Sequence, residues 1–108
     1  MALQLNQNEY GQTLRVNLSQ DVSSATNLGF TLQPKFGVAV EKTDLTGVSV
    51  GSTNVDVGDS TYLANEYLEY VIKATDLAYA GQYRMKGKAK LSSTNEIVSD
   101  YEFITVLE

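Results

Sequence analysis

The chain has 108 residues and a net charge of −5 at pH 7, with 43% of its residues hydrophobic and 19% charged. This length and composition predict a single globular domain over residues 1–108 and exclude a disordered chain. Cysteine and histidine are absent, which excludes disulfides, thiol nucleophiles and imidazole bases, and the acidity argues against nucleic-acid binding by phosphate neutralisation.

The two ends of the sequence carry no recognisable targeting signal. The first six residues do not combine a basic start with an apolar stretch, residue 2 is Ala, and the C-terminus lacks cysteine. No apolar run reaches the length of about 18 residues that a membrane-spanning helix needs. We therefore expect a protein made in the cytoplasm, with no signal peptide, no lipid anchor and no membrane contact.

Short stretches of alternating apolar and polar residues follow one another along the first part of the chain. Alternation with period two is typical of β-strands that bury one face. Glycines at positions 47, 51 and 58 separate the shorter stretches. The strands predicted in this part are Gln12–Ser19, Leu28–Leu32, Phe36–Val40, Val48–Val50, Asn54–Val57 and Tyr67–Ala74.

The stretch over residues 61–73 also has features of a helix. Polar and aromatic residues recur at helical spacing from Tyr62 to Lys73, whereas β-branched and aromatic residues crowd the second half. We interpret Tyr67–Lys73 as a strand for the latter reason. A single helical turn is predicted near Asp76–Tyr79.

Two longer strands, Gln82–Leu91 and Ile97–Leu107, are predicted at the end of the chain as a hairpin around residues 92–94. One register places bases opposite acids and apolar residues opposite apolar residues, so that Tyr83 and Tyr101 belong to the core. The predicted pairs are Arg84 with Glu102, Lys86 with Asp100, Lys90 with Glu96, Tyr83 with Phe103, Met85 with Tyr101 and Ala89 with Ile97.

The spacing of these strands predicts the class of fold. Turns recur at intervals of about 8–12 residues, and the strands are rich in Val, Tyr, Thr and Phe, a pattern typical of an all-β sandwich or barrel.

Acidic residues are the only candidates for catalysis or metal binding. Asp56 lies near Asp59, and Glu66 near Glu69, so each pair is either a catalytic carboxylate pair or ordinary surface charge. Asn54 together with Asp56 and Asp59 also has the oxygen ligands that calcium prefers, but no EF-hand pattern follows. We interpret these residues as surface charge and predict no catalytic site, no metal site and no cofactor.

Four bases alternate along one predicted strand: Arg84, Lys86, Lys88 and Lys90. They form either a positive stripe that binds an acidic partner or the solvated side of a strand, neutralised by the acids across the hairpin. We favour the second interpretation. Lys88 lies opposite Val98 in the predicted register and is therefore the base most available to a partner.

Seven tyrosines are present, a residue type enriched both in interfaces and in β-sheet cores. Three of them flank predicted loops and are candidate partner-binding residues together with Lys88, or stacking platforms for a sugar. These three are Tyr62, Tyr67 and Tyr79.

The segment from Asp76 to Tyr83 reads Asp-Leu-Ala-Tyr-Ala-Gly-Gln-Tyr. It resembles the corner that enters strand F of immunoglobulin-like sandwiches, in which a tyrosine hydroxyl bonds back to upstream backbone. Tyr83 matches that tyrosine, whereas Met85 stands where antibody domains carry cysteine. The resemblance implies an immunoglobulin-like β-sandwich of about seven or eight antiparallel strands with no disulfide.

Further short motifs follow in a fixed order: Asn8–Thr13, Asp21–Thr26, Leu28–Pro34 with Gly37, Tyr67–Tyr70, Asp76–Leu77, Ala80–Tyr83 and Tyr101–Val106. Their succession resembles the small sandwich domains of tailed-phage virion proteins, such as the N-terminal domains of baseplate upper proteins and related tail, neck and head accessory proteins. Pro34–Gly37 departs from that pattern by lacking a Pro-Asp-Gly turn.

The resemblance implies a non-enzymatic structural or accessory protein of a bacteriophage virion. Its partners would be portal, tail, baseplate or capsid proteins, bound in multiple copies according to the symmetry of the particle. An alternative is a carbohydrate-binding or adhesion module on a virion or cell surface, with the loop-flanking tyrosines stacking on sugars.

Overall fold

The computed structural model describes residues 3–35, 40–43, 47–74 and 76–108, and all regular secondary structure in these ranges is β-strand. The all-β class predicted from the sequence is therefore confirmed. The strands are β1 (Leu3–Asn6), β2 (Thr13–Asn17), β3 (Asn27–Pro34), β4 (Val40–Thr43), β5 (Val48–Val50), β6 (Val55–Val57), β7 (Ser60–Tyr62), β8 (Tyr67–Val71), β9 (Gly81–Ser92), β10 (Asn95–Val98) and β11 (Glu102–Leu107).

The larger sheet has the strand order β1-β11-β9-β3-β4, and β10 also pairs with β9. β1 and β11 run parallel, and the other pairs are antiparallel. The central strand β9 is twelve residues long and alternates buried and exposed residues. β10 and β11 follow one another along the same side of β9, so that all three strands share one outward face.

The smaller sheet has the strand order β2-β8-β5, with both pairs antiparallel. β6 and β7 form a separate two-stranded hairpin. Its two-residue loop begins at Gly58, whose φ of 61° lies in the left-handed region that glycine adopts without strain.

The core lies between the larger and the smaller sheet. Phe30 of the larger sheet stacks on Tyr70 of the smaller sheet, with ring centroids 5.2 Å apart. Gly87 lies opposite Val16 and Leu68, where an added Cβ would be 2.5 Å from Val16 Cγ2. The two sheets therefore meet closely at Gly87, where β9 has no side chain.

Most predicted strands are confirmed, with boundaries shifted by a few residues. Three strands were not predicted: β1, whose four residues give too short a pattern; β7, which begins with Ser and Thr; and β4, which shares only Val40 with the predicted strand Phe36–Val40. Residues 36–39 of the predicted strand Phe36–Val40 lie outside the described residues. The stretch from Tyr67 is a strand, as expected, whereas Asp76–Tyr79 forms a turn and bend without a helical turn.

The register of the final hairpin was predicted correctly from Glu96 to Val98, whereas Asn95 pairs with Ser92 instead of Leu91 and the register beyond Ser99 differs from the prediction. Lys90 pairs with Glu96, and Lys88 with Val98, as expected. Gly87 and Ser99 are then joined by a backbone bond of 2.8 Å. Beyond that point, the β9–β11 ladder resumes one residue out of the predicted register.

A β-bulge causes this shift. Asp100 and Tyr101 together oppose Lys86, because the next pair along the ladder is Met85 with Glu102. The extra residue turns Ile104 and Val106 into the core and Phe103 outward, opposite Arg84. Tyr101 and Phe103 are therefore exposed, and their predicted core positions opposite Met85 and Tyr83 are wrong.

Candidate interaction surface

Large apolar side chains form a row along the outward face of β10 and β11. Val98 lies on β10, Phe103 and Leu107 lie on β11, and Tyr101 lies at the bulge between the two strands. All four side chains are between 42% and 48% exposed. Single exposed apolar residues are common on protein surfaces, but a contiguous row on one sheet face is typical of an interaction surface.

A row of bases runs beside these apolar residues on β9. Arg84 and Lys90 are exposed, and Lys86 and Lys88 are half-buried. The outer face of this sheet therefore combines an apolar row with a basic row, although the whole chain is acidic. We call the part formed by Arg84, Lys86, Val98, Tyr101 and Phe103 the outer-face surface.

The ring of Tyr101 contacts two of the bases. The Arg84 guanidinium carbon lies 4.5 Å from the ring centroid and the Lys86 ammonium nitrogen 5.0 Å from it. Both distances are within the range in which a cation is attracted to an aromatic ring. Arg84 Nε also donates to the side-chain oxygen of Gln33 at 2.8 Å.

The predicted neutralisation of the basic row by acids across the hairpin is wrong. Among the described residues, no carboxylate forms an ion pair with Arg84, Lys86 or Lys90. The bulge is the physical reason for two of the three pairs. It moves Glu102 from Arg84 to Met85, and it places Tyr101 as well as Asp100 opposite Lys86. Glu96 does lie opposite Lys90, but their charged groups remain apart.

Lys88 is less accessible than Arg84 and Lys90 of the basic row. Its aliphatic stem lies over Gly29 on β3, where an added Cβ would be 2.6 Å from Lys88 Cε. The side chain is half-buried, whereas Arg84 and Lys90 are exposed. The prediction that Lys88 is the base most available to a partner is therefore wrong. Gly29 has no side chain, and the aliphatic stem of Lys88 fills the space beside it.

Two of the three loop-flanking tyrosines are buried, which corrects their assignment as partner-binding residues. Tyr67 is 1% exposed and donates a hydrogen bond to the Thr53 carbonyl at 2.7 Å. Tyr62 is 7% exposed and packs against Tyr67, with ring centroids 5.9 Å apart. Burial, with a contribution from the nearby Glu102 carboxylate, raises the pKa of Tyr62. Neither ring offers a face for stacking on a sugar.

Tyr79 is 64% exposed and remains a candidate contact residue. It lines a shallow cavity of about 260 Å³ at one end of the larger sheet. A neighbouring cavity of about 310 Å³ extends along the outer face to Arg84 and Phe103. Pro34, Lys35 and Gln82 line both cavities, so Tyr79 lies beside the outer-face surface without belonging to it.

Tyr83 forms the contact expected of a tyrosine corner. Its hydroxyl accepts a hydrogen bond from the backbone N–H of Tyr79 at 3.0 Å, and its ring is buried. Burial raises the pKa of the Tyr83 hydroxyl. The role of Tyr83 is to fix the turn that leads into β9.

The acidic candidates take part in local structural bonds. Asp56 accepts a hydrogen bond from the Thr61 hydroxyl at 2.9 Å, and Asn54 accepts one from the Ala64 N–H at 2.8 Å. Both bonds stabilise the β6–β7 hairpin. Glu69 pairs with Arg15 at 2.9 Å. Within the described ranges, no three acidic side chains gather as they would around a metal ion.

A third cavity, of about 280 Å³, opens between the hairpin and the edges of the two sheets. Arg15 and Glu102 contribute charged groups of opposite sign to its lining. Arg15 is already paired with Glu69. The other charged groups of the lining, Asp56 and Glu102, are both acidic, and no described base forms an ion pair with either.

No family model matches this chain, and no curated protein matches it in sequence. The described residues contain none of the long apolar helices with which proteins cross a membrane.

The sequence did not single out Tyr101, Phe103 or Val98 as surface residues. The signal was present in the last strand, where the alternation fits two registers: one buries Tyr101 and Phe103, the other Ile104 and Val106. Only the bulge decides between them. Its one local sign is the polar pair Ser99–Asp100, which interrupts the apolar alternation.

Proposed function

We propose that this chain is an immunoglobulin-like sandwich that binds other proteins and catalyses no reaction. The order of its strands supports the fold. In immunoglobulin domains, strands B, E and D share one sheet, and G, F and C share the other, with C′ added in the variable type. The order β2-β8-β5 corresponds to B-E-D, and β11-β9-β3-β4 corresponds to G-F-C-C′.

The position of Tyr83 supports the same assignment. In this correspondence β9 is strand F, and the corner tyrosine of immunoglobulin-like domains lies near the start of that strand. Tyr83 is the third residue of β9 and bonds back to Tyr79. The β6–β7 hairpin is then an insertion between strands D and E.

The observation that carries the binding function is the exposed apolar row on the outer face of the larger sheet, beside Arg84 and Lys86, with which no described carboxylate forms an ion pair. A domain that bound nothing would gain solubility from polar residues there. The outer-face surface instead offers aromatic and arginine side chains, which are enriched in protein interfaces. We propose a partner protein whose contacting surface is apolar and negatively charged, because that chemistry complements the face.

The setting we propose is a bacteriophage virion, in which the chain is a structural or accessory protein of the tail, neck, baseplate or capsid. The resemblance of its motifs to the sandwich domains of tailed-phage virion proteins supports this setting. Symmetric particles present many copies of one partner, so even a modest face of this kind gives stable association.

Fractionation of phage particles tests this function. Particles produced by the phage or prophage that encodes the chain would be purified by density gradient and analysed by mass spectrometry. We expect the chain to sediment with the particles in a fixed ratio to a major structural protein. A purified chain that is strictly monomeric and missing from intact particles would contradict the proposal.

A further inference from the structure

We propose that the outer-face surface holds an extended acidic segment of the partner, with a carboxylate bound jointly by Arg84 and Lys86. This inference rests on the proposed binding function and specifies the chemistry of the partner. Three features support it: the arrangement of the two cations, the apolar residues beside them, and the spacing of the cations and apolar residues along the strands.

The two cations contact the same aromatic ring. Arg84 and Lys86 are two residues apart on β9, so their side chains leave the same face of the sheet. Both lie within 5.0 Å of the Tyr101 ring centroid, and no described carboxylate pairs with either. A carboxylate placed beside the Tyr101 ring, between the Arg84 and Lys86 side chains, would accept charge-assisted hydrogen bonds from both, which are stronger than neutral ones.

Arg84 is already oriented for such a ligand. One nitrogen, Nε, donates to Gln33 at 2.8 Å, and the guanidinium has further donors in a fixed planar arrangement. The bond to Gln33 and the contact with Tyr101 reduce the rotamer freedom that binding would otherwise remove.

Apolar residues flank this pair of cations. Val98 lies on one side of the bulge and Phe103 on the other, 47% and 48% exposed. Side chains on one face of an extended segment recur every second residue. A segment with an acidic residue between two apolar residues on that face would therefore place its carboxylate near Arg84 and Lys86 and its apolar groups on Val98 and Phe103.

A polypeptide fits this face better than a nucleic acid does. The net charge of −5 opposes a polyanion that must run along many phosphates. Glu96 and Asp100 are exposed beside the same strands. A short acidic segment needs complementary positive charge only where it contacts the chain, at Arg84 and Lys86.

Titration of the ¹⁵N-labelled chain, followed by NMR, tests the inference. The probe is the peptide acetyl-Leu-Ser-Glu-Ser-Leu-amide, whose glutamate lies between two leucines on one face when the peptide is extended, compared with the same peptide carrying Gln in place of Glu. We expect amide shifts centred on Arg84, Lys86, Tyr101 and Phe103, and an affinity for the acidic peptide at least about fivefold higher than for the neutral one.

Two lysine variants provide a matched pair. Lys86→Gln removes one of the two cations and should weaken binding of the acidic peptide by about fivefold or more. Lys73→Gln makes the same change of charge beyond the end of β8 on the smaller sheet and should leave the affinity unchanged. Unaltered spectra away from the substituted residue verify that each variant is folded.

Several results would overturn the inference. One is equal affinity for the acidic and neutral peptides; another is equal weakening by Lys86→Gln and Lys73→Gln. Tighter binding of a single-stranded oligonucleotide to the same residues would identify a nucleic-acid surface. Self-association abolished by Lys86→Gln would identify a second copy as the occupant. If these peptides fail while the chain still sediments with particles, only the acidic segment is wrong and the binding function stands.

Discussion

The hydroxyl of Tyr83 accepts a hydrogen bond from the backbone N–H of Tyr79 across the turn that enters β9. The bond connects the turn to the strand that carries the basic row. We predict that Tyr83→Phe lowers the free energy of unfolding by about 1 kcal/mol at neutral pH, because the N–H of Tyr79 loses its partner. Urea denaturation monitored by circular dichroism measures this difference.

Tyr10→Phe is the matched control for that substitution. Tyr10 is 65% exposed, so removing its hydroxyl should change the free energy of unfolding by less than about 0.5 kcal/mol. Equal stability of the two variants would show that Tyr83 does not fix the corner.

Alkaline pH should destabilise the fold through its buried tyrosines. Burial raises the pKa values of Tyr62, Tyr70 and Tyr83, and for Tyr70 a hydrogen bond to Asp76 adds to the effect. The folded protein therefore retains these protons where the unfolded chain, with tyrosine pKa values of about 10, loses them. The stabilisation is complete below about pH 10 and decreases as the pH rises further.

Urea midpoints between pH 8 and pH 11 test this dependence. We expect the midpoint to fall above about pH 10 in the wild-type chain, and Tyr70→Phe to show a shallower fall. Lysines titrate in the same range, but they are common to both proteins, so the difference between the two curves reports Tyr70. Parallel curves would contradict the prediction.

Because of the bulge at Asp100 and Tyr101, we predict that truncating two neighbouring residues lowers the free energy of unfolding by very different amounts. Ile104 is fully buried, and Ile104→Ala should cost about 2–5 kcal/mol through lost burial and a cavity. Phe103 is half-exposed on the outer face, and Phe103→Ala should cost about 0.5 kcal/mol or less. Denaturant titrations of the two variants measure these free energies. A larger loss of stability for Phe103→Ala than for Ile104→Ala would contradict the bulge and support the register without it.

This pair also shows how far the sequence could predict the structure. Alternation located β2, β3 and β8 because each buries one face against the other sheet, and it gave the register from Glu96 to Val98. It could not place Phe103, because one inserted residue reverses the faces of everything after it. Tyr67 and Tyr79 both flank loops in the sequence. Tyr67 is buried because Tyr62 of the β6–β7 hairpin packs against it, whereas Tyr79 is exposed, and the sequence does not show this difference.

Gly87 and Gly29 provide a test of how the sheets pack. An alanine Cβ at Gly87 would press on Val16 and Leu68 of the opposite sheet, whereas one at Gly29 would meet the flexible stem of Lys88. Gly87→Ala should therefore cost about 1–3 kcal/mol, as overpacked cores do. Gly29→Ala should cost less than about 1 kcal/mol, because Lys88 can move aside. Equal losses would mean that the sheets do not meet at Gly87.

The central claim is that the outer face of the larger sheet binds a partner, and two valines of nearly equal exposure test it. Val98 is 47% exposed on that face, and Val71 is 46% exposed on the outer face of the smaller sheet. Tagged Val98→Ser and Val71→Ser chains would be expressed during phage growth and quantified in purified particles against the wild-type chain. We predict that Val98→Ser lowers incorporation severalfold while Val71→Ser leaves it unchanged; equal incorporation of the two, or selective loss with Val71→Ser, would contradict the account.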